Sequence, residues 1–333
     1  MEGRLEHELR IKNNINKLLN TMPNCVSDYY YNIQISKEPT TCEEYLRKIH
    51  CFLQFANMDI ANIDDTVIGR YFESINYTTD KNGEIHKTTF AHKQNTWSAL
   101  NQFFEYLYKR KVIQKNPMTT TQRPKKDDNV KRLFLSMEDL NSILDSVKQG
   151  SGSHKAISRQ KDWKERDLLI MFLFMNTGMR KTALSEINVE DISFSDKKLT
   201  VTDKRNKTQI YDITDEMERA IKVWLMKRDR LLNNENNDAL FISSRRKRLS
   251  EKAIYNIVRK YSEQALGYAI SPHKLRAAFV SLYYEASGGD IKATSQAVGH
   301  ANVATTSIYI VKKNNSRTEA MNFMSRNLNY NNN

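Results

Sequence analysis

The chain has 333 residues, enough for two domains, and a formal net charge of +13 with a pI of about 9.4. That excess of Lys and Arg is the electrostatic footprint of a nucleic-acid partner, although basic proteins also bind membranes or acidic proteins. Apolar residues make up 39%. The longest apolar stretch, Leu168 to Met175, falls far short of the roughly 20 residues that cross a bilayer, which argues against a membrane protein. The first residues, Met1-Glu2-Gly3-Arg4, are charged and offer no signal-peptide core. Cys25, Cys42 and Cys51 are odd in number and lack CxxC spacing, so they read as reduced thiols of a cytosolic protein, with no zinc site.

In chain order, residues 1–37 carry the weakest pattern. Arg10 to Leu19 fits a short helix with Ile11, Ile15, Leu18 and Leu19 on one side. Thr41 and Glu44 form a capping-box pattern, and Tyr45, Ile49, Phe52 and Ala56 recur at helical spacing behind it. A second helix, Val67 to Ile75, follows the acidic start Asp64-Asp65. Tyr77 to Lys87 is polar and contains Asn82-Gly83, a turn or hairpin signal. Phe90 to Lys109 is a strong helix with Trp97, Leu100, Phe103, Phe104 and Leu107 on its apolar face, and Asn116-Pro117 stops the region. Together these predict a small all-helical domain. Thr119 to Lys131 has no periodicity and a basic bias, which suits a linker crossing a DNA backbone or a solvated tether equally well.

A second domain begins at Ser136, which with Asp139 fits another capping box, ahead of the core face Leu140, Ile143, Leu144 and Val147. Gln149 to Lys164 reads as a polar loop and Asp167 to Asn176 as a buried helix. Leu199 to Thr202 and Gln209 to Ile213 read as strands around the turn Asp203-Lys204-Arg205-Asn206-Lys207. Thr214 to Leu231 is helical. Arg245-Arg246-Lys247-Arg248 is a basic cluster, and Ser250 caps a helix ending near Tyr261. Ser316 to Leu328 predicts a last helix with the stripe Ala320, Phe323, Met324 and Leu328, followed by an Asn-rich end expected to be disordered.

Chemistry concentrates between residues 177 and 309. Thr177-Gly178-Met179-Arg180 closes the apolar helix, and its glycine permits a tight turn that delivers an arginine from a buried element to the surface. His273 and Arg276, spaced i, i+3, share a face of a helix start, which Ser271-Pro272 suits and where phosphate is favoured. Val298-Gly299-His300 follows, then Thr305-Thr306 and Tyr309. Two guanidiniums can fork onto phosphate oxygens, histidines can donate hydrogen bonds or move protons, and a tyrosine hydroxyl can attack phosphorus. Singly each signal is weak, since HxxR is common by chance and the chain has 16 tyrosines.

In combination the residues resemble the active site of the tyrosine recombinases, the phage-integrase family. The resemblance covers residues 41–325, and Met179 to Ile192 adds to it, with Glu190-Asp191-Ile192 matching an acidic-acidic-hydrophobic step after the first arginine. It implies that Tyr309 attacks the scissile phosphate and forms a 3′-phosphotyrosyl link. Arg180 and Arg276 would neutralise the non-bridging oxygens as charge builds. His300 would hydrogen-bond the same phosphate, and His273 would assist proton movement at the tyrosine. Lys204, on the turn between the two strands, would enter the minor groove and protonate the leaving 5′ oxygen, with Lys207 as runner-up; nearby cations can lower a lysine pKa enough for such a role. Neither metal nor cofactor nor ATP is implied, because the protein–DNA ester stores the bond energy, and the sequence offers no GxxxxGK[ST] loop.

The implied fold is mainly α with a small β-sheet, a two-domain C-shaped clamp. Its parts are an extension over 1–37, a helical core-binding domain over 38–118, a linker over 119–133, a catalytic domain over 134–312, and a C-terminal helix and tail over 313–333. The implied partners are double-stranded DNA with paired inverted core sites, a homotetramer joined by exchange of the C-terminal helix, and accessory directionality factors; no membrane is implied, and the location is the cytoplasm, on the nucleoid. The expected function is integration or excision of a mobile element. The alternatives are chromosome-dimer resolution, a type IB topoisomerase, and a catalytically idle DNA-binding regulator. Two positions depart from the family pattern: Ala183 stands where an acidic residue is frequent, so that either Glu186, one turn on, serves the same network or the support is absent and activity slower, and Ala277 stands where histidine is frequent.

Overall fold

The computed structural model describes residues 2–80, 83–125, 134–203, 207–299 and 303–307. The chain is mainly helical and divides into two compact units, Met1–Lys131 and Arg132–Asn333. No helix among the described residues is long and apolar enough to cross a membrane.

The first unit holds α1 (Glu2–Leu19), α2 (Asn24–Ile33), α3 (Pro39–Phe55), α4 (Asp65–Ser74) and α5 (Phe90–Lys109). Apolar residues between Ile11 and Ile33 pack into the core of this unit. Ile11, Ile15, Val26, Tyr29 and Ile33 share one core with Leu46, Phe52, Phe103, Phe104 and Leu107, and the ring of Tyr29 meets that of Phe103 edge-on at 5.3 Å. The register of α3 also differs from expectation. It starts at Pro39 behind Glu38, because proline at the first helical position is already set to helical φ, and Thr41 donates its N–H to the Glu38 carbonyl instead of capping. The unit is not all-helical: β1 (Tyr77–Thr79) and β2 (Ile85–Lys87) pair antiparallel, Tyr77 opposite Lys87, with Gly83 at φ +85° in the turn. The start of the expected linker lies on this unit, where Thr120 Oγ1 bonds Asp65 Oδ2 at 2.9 Å and the Arg123 guanidinium lies over the Trp97 ring at 5.9 Å.

The second unit is built around α8 (Lys164–Thr177), whose Leu169, Ile170, Met171, Leu173 and Phe174 are all buried. Such all-round burial explains the continuous apolar run in its sequence. α6 (Met137–Gln149) begins with the expected capping box: Asp139 N–H donates to Ser136 Oγ at 3.1 Å, and Ser136 N–H to Asp139 Oδ2 at 2.8 Å. The segment read as a polar loop contains a helix, α7 (His154–Gln160), tied down by Gln160, whose Oε1 accepts from the Tyr261 hydroxyl at 3.1 Å. α9 (Lys181–Glu186) leads to a three-stranded antiparallel sheet of β3 (Ile192–Ser193), β4 (Lys198–Asp203) and β5 (Lys207–Asp212), in that order. Then come α10 (Asp215–Leu232), α11 (Glu251–Leu266), α12 (Pro272–Ala286), α13 (Ile291–Ala297) and α14 (Val303–Ser307). α11 runs past Tyr261 to Gly267, whose left-handed φ of +78° ends it. Trp224 of α10, fully buried, donates from Nε1 to the Leu240 carbonyl at 2.9 Å. The helix expected over Ser316 to Leu328 lies outside the described residues.

Candidate active site

The turn that carries Arg180 follows from its local sequence. Gly178 closes α8 in the left-handed conformation, φ +58° and ψ 18°, and its N–H returns to the Phe174 carbonyl at 3.0 Å. The Thr177 hydroxyl donates to the Leu173 carbonyl at 2.6 Å and accepts the Met179 N–H at 3.2 Å. Met179 is buried, so the chain leaves the core at Arg180, which is exposed and stands as the N-cap of α9.

Arg276 joins that turn to the rest of the site. It is the fifth residue of α12, behind Ser271-Pro272, and is only 3% exposed. Its Nη1 donates to the carbonyl of Gly178, and its Nη2 to the carbonyl of Val298 at 2.7 Å. A buried guanidinium needs acceptors. Here they are the C-caps of α8 and α13, where backbone carbonyls lack helical partners and the helix dipoles are negative. One cation therefore holds together the turn bearing Arg180, the helix bearing His273 and the turn leading to His300.

His273 lies on the outer side of α12, exposed, three residues before Arg276. Its imidazole is held below its usual pKa of 6.5, first by loss of surrounding water, then by the cations Arg276, Lys274 and Arg180. The sign favours a neutral ring at physiological pH, able to take up a proton.

The remaining sequence-predicted residues, Lys204, His300 and Tyr309, lie outside the described residues, but their flanks are defined. Asp203 pairs with Lys207 at the end of β4 and β5, and these two residues flank Lys204 in the sequence. Gly299, directly before His300, has φ +63° and abuts the strand β5: a Cβ there would stand 2.1 Å from Nε2 of Gln209. Gly299 and Gln209 of β5 are thus in contact. Thr306 of α14, three residues before Tyr309, is fully buried.

Comparison with known proteins identifies the family. The model of the phage integrase family matches residues 134–316. The chain belongs to the phage integrase family. It is 30% identical over 317 residues to a tyrosine recombinase XerC of Caldanaerobacter subterraneus subsp. tengcongensis, covering 88% of this chain and 84% of the relative. A XerC of Shewanella amazonensis is 34% identical over 215 residues, 64% of this chain and 68% of the relative. Among solved structures, XerH bound to its difH substrate in a pre-cleavage complex superposes with a TM-score of 0.63 at 20% identity, covering 93% of this chain and 88% of that one. A lambda integrase tetramer on a Holliday junction gives 0.63 at 19% identity, over 86% and 76% of the two chains. At such identities the structures speak for the shared two-domain recombinase fold.

Within this tyrosine recombinase, Ala183 and the acidic Glu186 one turn on differ in burial. Ala183 is 4% exposed and packed into the core, whereas Glu186 is exposed at the C-terminal end of α9. Sequence reasoning also missed Gln209 and Phe279 as neighbours of the site. Gln209 carries no local signal, since only the fold brings β5 to Gly299. Phe279 stands three residues after Arg276 on α12, a spacing that puts both on one side of the helix. Among the described residues the group with metal-ligand character is Asp80, Glu84 and His86, exposed beside the β1–β2 turn of the other unit, where His86 Nε2 lies 3.2 Å from Asp80 Oδ2.

Proposed function

We propose that this recombinase cuts and rejoins double-stranded DNA at specific sites through a 3′-phosphotyrosyl intermediate, with Tyr309 as nucleophile. The observation that carries the reading is the pair of bonds from Arg276 to Gly178 and Val298, which draws three motif segments, 98 and 22 residues from Arg276 for the two acceptors, into one cationic cluster. In this reading Arg180 and Arg276 meet the non-bridging oxygens of the scissile phosphate and offset the charge that grows in the transition state. His273, kept neutral, accepts the proton of the attacking hydroxyl. His300 donates a hydrogen bond to the phosphate, and Lys204 protonates the departing 5′ oxygen. Strand exchange proceeds on paired inverted sites within a tetramer. The ester conserves the energy of the broken bond, so the reaction requires neither ATP nor metal.

The cellular role we favour is integration or excision of a mobile element. A second reading, chromosome-dimer resolution, draws support from the similarity to the XerC recombinases. One experiment tests the chemistry. Full-length protein is incubated with the DNA flanking its own gene, in EDTA and without nucleotide, and covalent adducts are trapped on denaturing gels and mapped. Wild type should yield an adduct at a defined position, and Tyr309→Phe should yield none while binding the same DNA. An adduct that persists in Tyr309→Phe moves the nucleophile elsewhere. A strict need for magnesium contradicts the metal-free mechanism.

A further inference from the structure

Arg180 stands at the head of a helix too short to hold itself. α9 has six residues, and an isolated helix of that length is unstable in water. One short segment, Arg248 to Glu251, fixes it at both ends. At the C-terminal end, Arg248 Nη1 donates to the carbonyls of Ser185 at 2.9 Å and Ile187 at 3.3 Å, and its Nη2 donates to Asn188 Oδ1. At the N-terminal end, Lys181 Nζ lies 3.0 Å from Oε2 of Glu251, the first residue of α11. The segment is itself anchored: Leu249 N–H donates to the Phe241 carbonyl at 2.8 Å, and Ser250 Oγ caps α11 by accepting from Ala253 N–H at 3.2 Å. The other members of the basic cluster do different things. Arg246 turns back to the Leu231 carbonyl at 3.0 Å and to Glu235, while Arg245 and Lys247 are exposed.

We propose that Arg248 is a positioning residue for Arg180, acting through α9, with Glu251 as the second tie. The proposal rests on the reading of Arg180 as a phosphate-binding arginine. A cation on the last carbonyls of a helix satisfies groups that have no helical partner and sits at the negative end of the dipole. The Lys181–Glu251 pair is part-exposed and contributes little energy, but it sets direction. Arg180 is bonded on one side to the Gly178 turn that Arg276 holds. On the other side its own carbonyl accepts from Leu184 N–H of α9 at 3.0 Å. Without Arg248 the C-terminal end of α9 slackens and the Arg180 guanidinium loses its aim, while Arg276 keeps its bonds to Gly178 and Val298.

The test uses the full-length chain and two readouts. Without DNA, His273 is titrated by NMR in wild type, Arg180→Ala, Arg248→Ala, Arg248→Lys and the Arg180→Ala/Arg248→Ala double variant. The Arg180 cation helps depress the His273 pKa, so its removal raises the midpoint. Arg248→Ala should raise it in the same direction, Arg248→Lys less, and the double variant no further than Arg180→Ala alone. With DNA, adduct formation is timed on a nicked duplex carrying the mapped cleavage site, with the scissile group either a phosphate or an uncharged methylphosphonate. Arg248→Ala should slow cleavage of the phosphate by up to about a hundredfold, the scale of a small misplacement. It should recover on the methylphosphonate, which needs no arginine to neutralise it, as Arg180→Ala recovers. Equal slowing on both substrates, or an unmoved His273 midpoint in a folded Arg248→Ala protein, overturns the proposal. If thermal melting shows that Arg248→Ala does not fold, Arg248→Lys and Glu251→Gln carry the same comparison with smaller shifts of the same sign. If Arg180→Ala cleaves the phosphate at the wild-type rate, the reading of Arg180 fails, and the His273 titration still decides the positioning.

Discussion

Gly178 lies against the ring of Phe279, so close that a Cβ added to the glycine would stand 2.4 Å from Cδ1 of that ring. The glycine also holds φ at +58°, and its carbonyl accepts from Arg276. Backbone conformation, packing and the arginine tether thus meet at one residue. Gly178→Ala should cost about 1 kcal/mol or more for the left-handed backbone alone, with the ring clash added to it. It should lower the melting temperature and also reduce adduct formation beyond what the stability loss explains, since the displaced turn carries Arg180. Adding Phe279→Ala should relieve the clash but not the φ penalty, so the double variant should cleave faster than Gly178→Ala. A double variant no better than the single would place the damage in the backbone alone.

The depressed pKa of His273 sets an acid limit on the rate. The neutral ring accepts a proton, and it is neutral at every pH above its folded pKa, which lies below 6.5. Adduct formation should therefore hold steady as pH falls from about 8 toward 6.5 and drop only below that, as the ring is charged. Lys274→Ala removes one of the cations that depress the pKa, so the acid limb should move to higher pH. A pH profile of single-turnover cleavage checks both. A limb that does not move in Lys274→Ala would show that another group controls it.

Chemistry can tell which lysine, Lys204 or Lys207, acts on the leaving group under the proposed mechanism. Lys204→Ala should strongly slow cleavage of ordinary DNA, and a substrate with sulfur in place of the bridging 5′ oxygen should restore the rate, because a thiolate departs without protonation. Lys207→Ala should show no such rescue. The reverse pattern would shift the assignment three residues along the chain.

Residues 316–328 carry a capping-box pattern, Ser316 and Glu319, and the apolar stripe Ala320, Phe323, Met324 and Leu328. A helix this short needs a surface to bury its stripe. Our reading is a neighbouring protomer. Truncation after Lys313 should leave DNA binding by single protomers largely intact and abolish the tetrameric complex, as seen by native gel or light scattering with DNA. Normal tetramers from the truncated chain would exclude this helix as the connector.

Local signals were legible wherever a few neighbouring residues decide the structure. Phe90 to Lys109 was bounded by its own periodicity, the Ser136–Asp139 box by two side chains three residues apart, and the β4–β5 hairpin by its alternation and turn. The proposed site residues, two arginines, two histidines, a lysine and a tyrosine, are of types that suit phosphoryl chemistry, and their roles come with the family resemblance. Contacts across the chain were not legible. That α2 belongs to the first core shows in Tyr29 meeting Phe103, 74 residues away in the numbering of the chain. The four residues Arg245-Arg246-Lys247-Arg248 looked alike as a basic run, yet only the fold turns Arg246 to α10 and Arg248 to α9. Ala183 and Glu186 lie one turn apart, and only the packing of α9 buries one and exposes the other. The physical reason is common to all three. Caps, turns and helical faces are set by energies within one or two turns of chain. The partner of a buried cation such as Arg276 is whichever carbonyl the folded core brings within hydrogen-bond reach, here those of Gly178 and Val298.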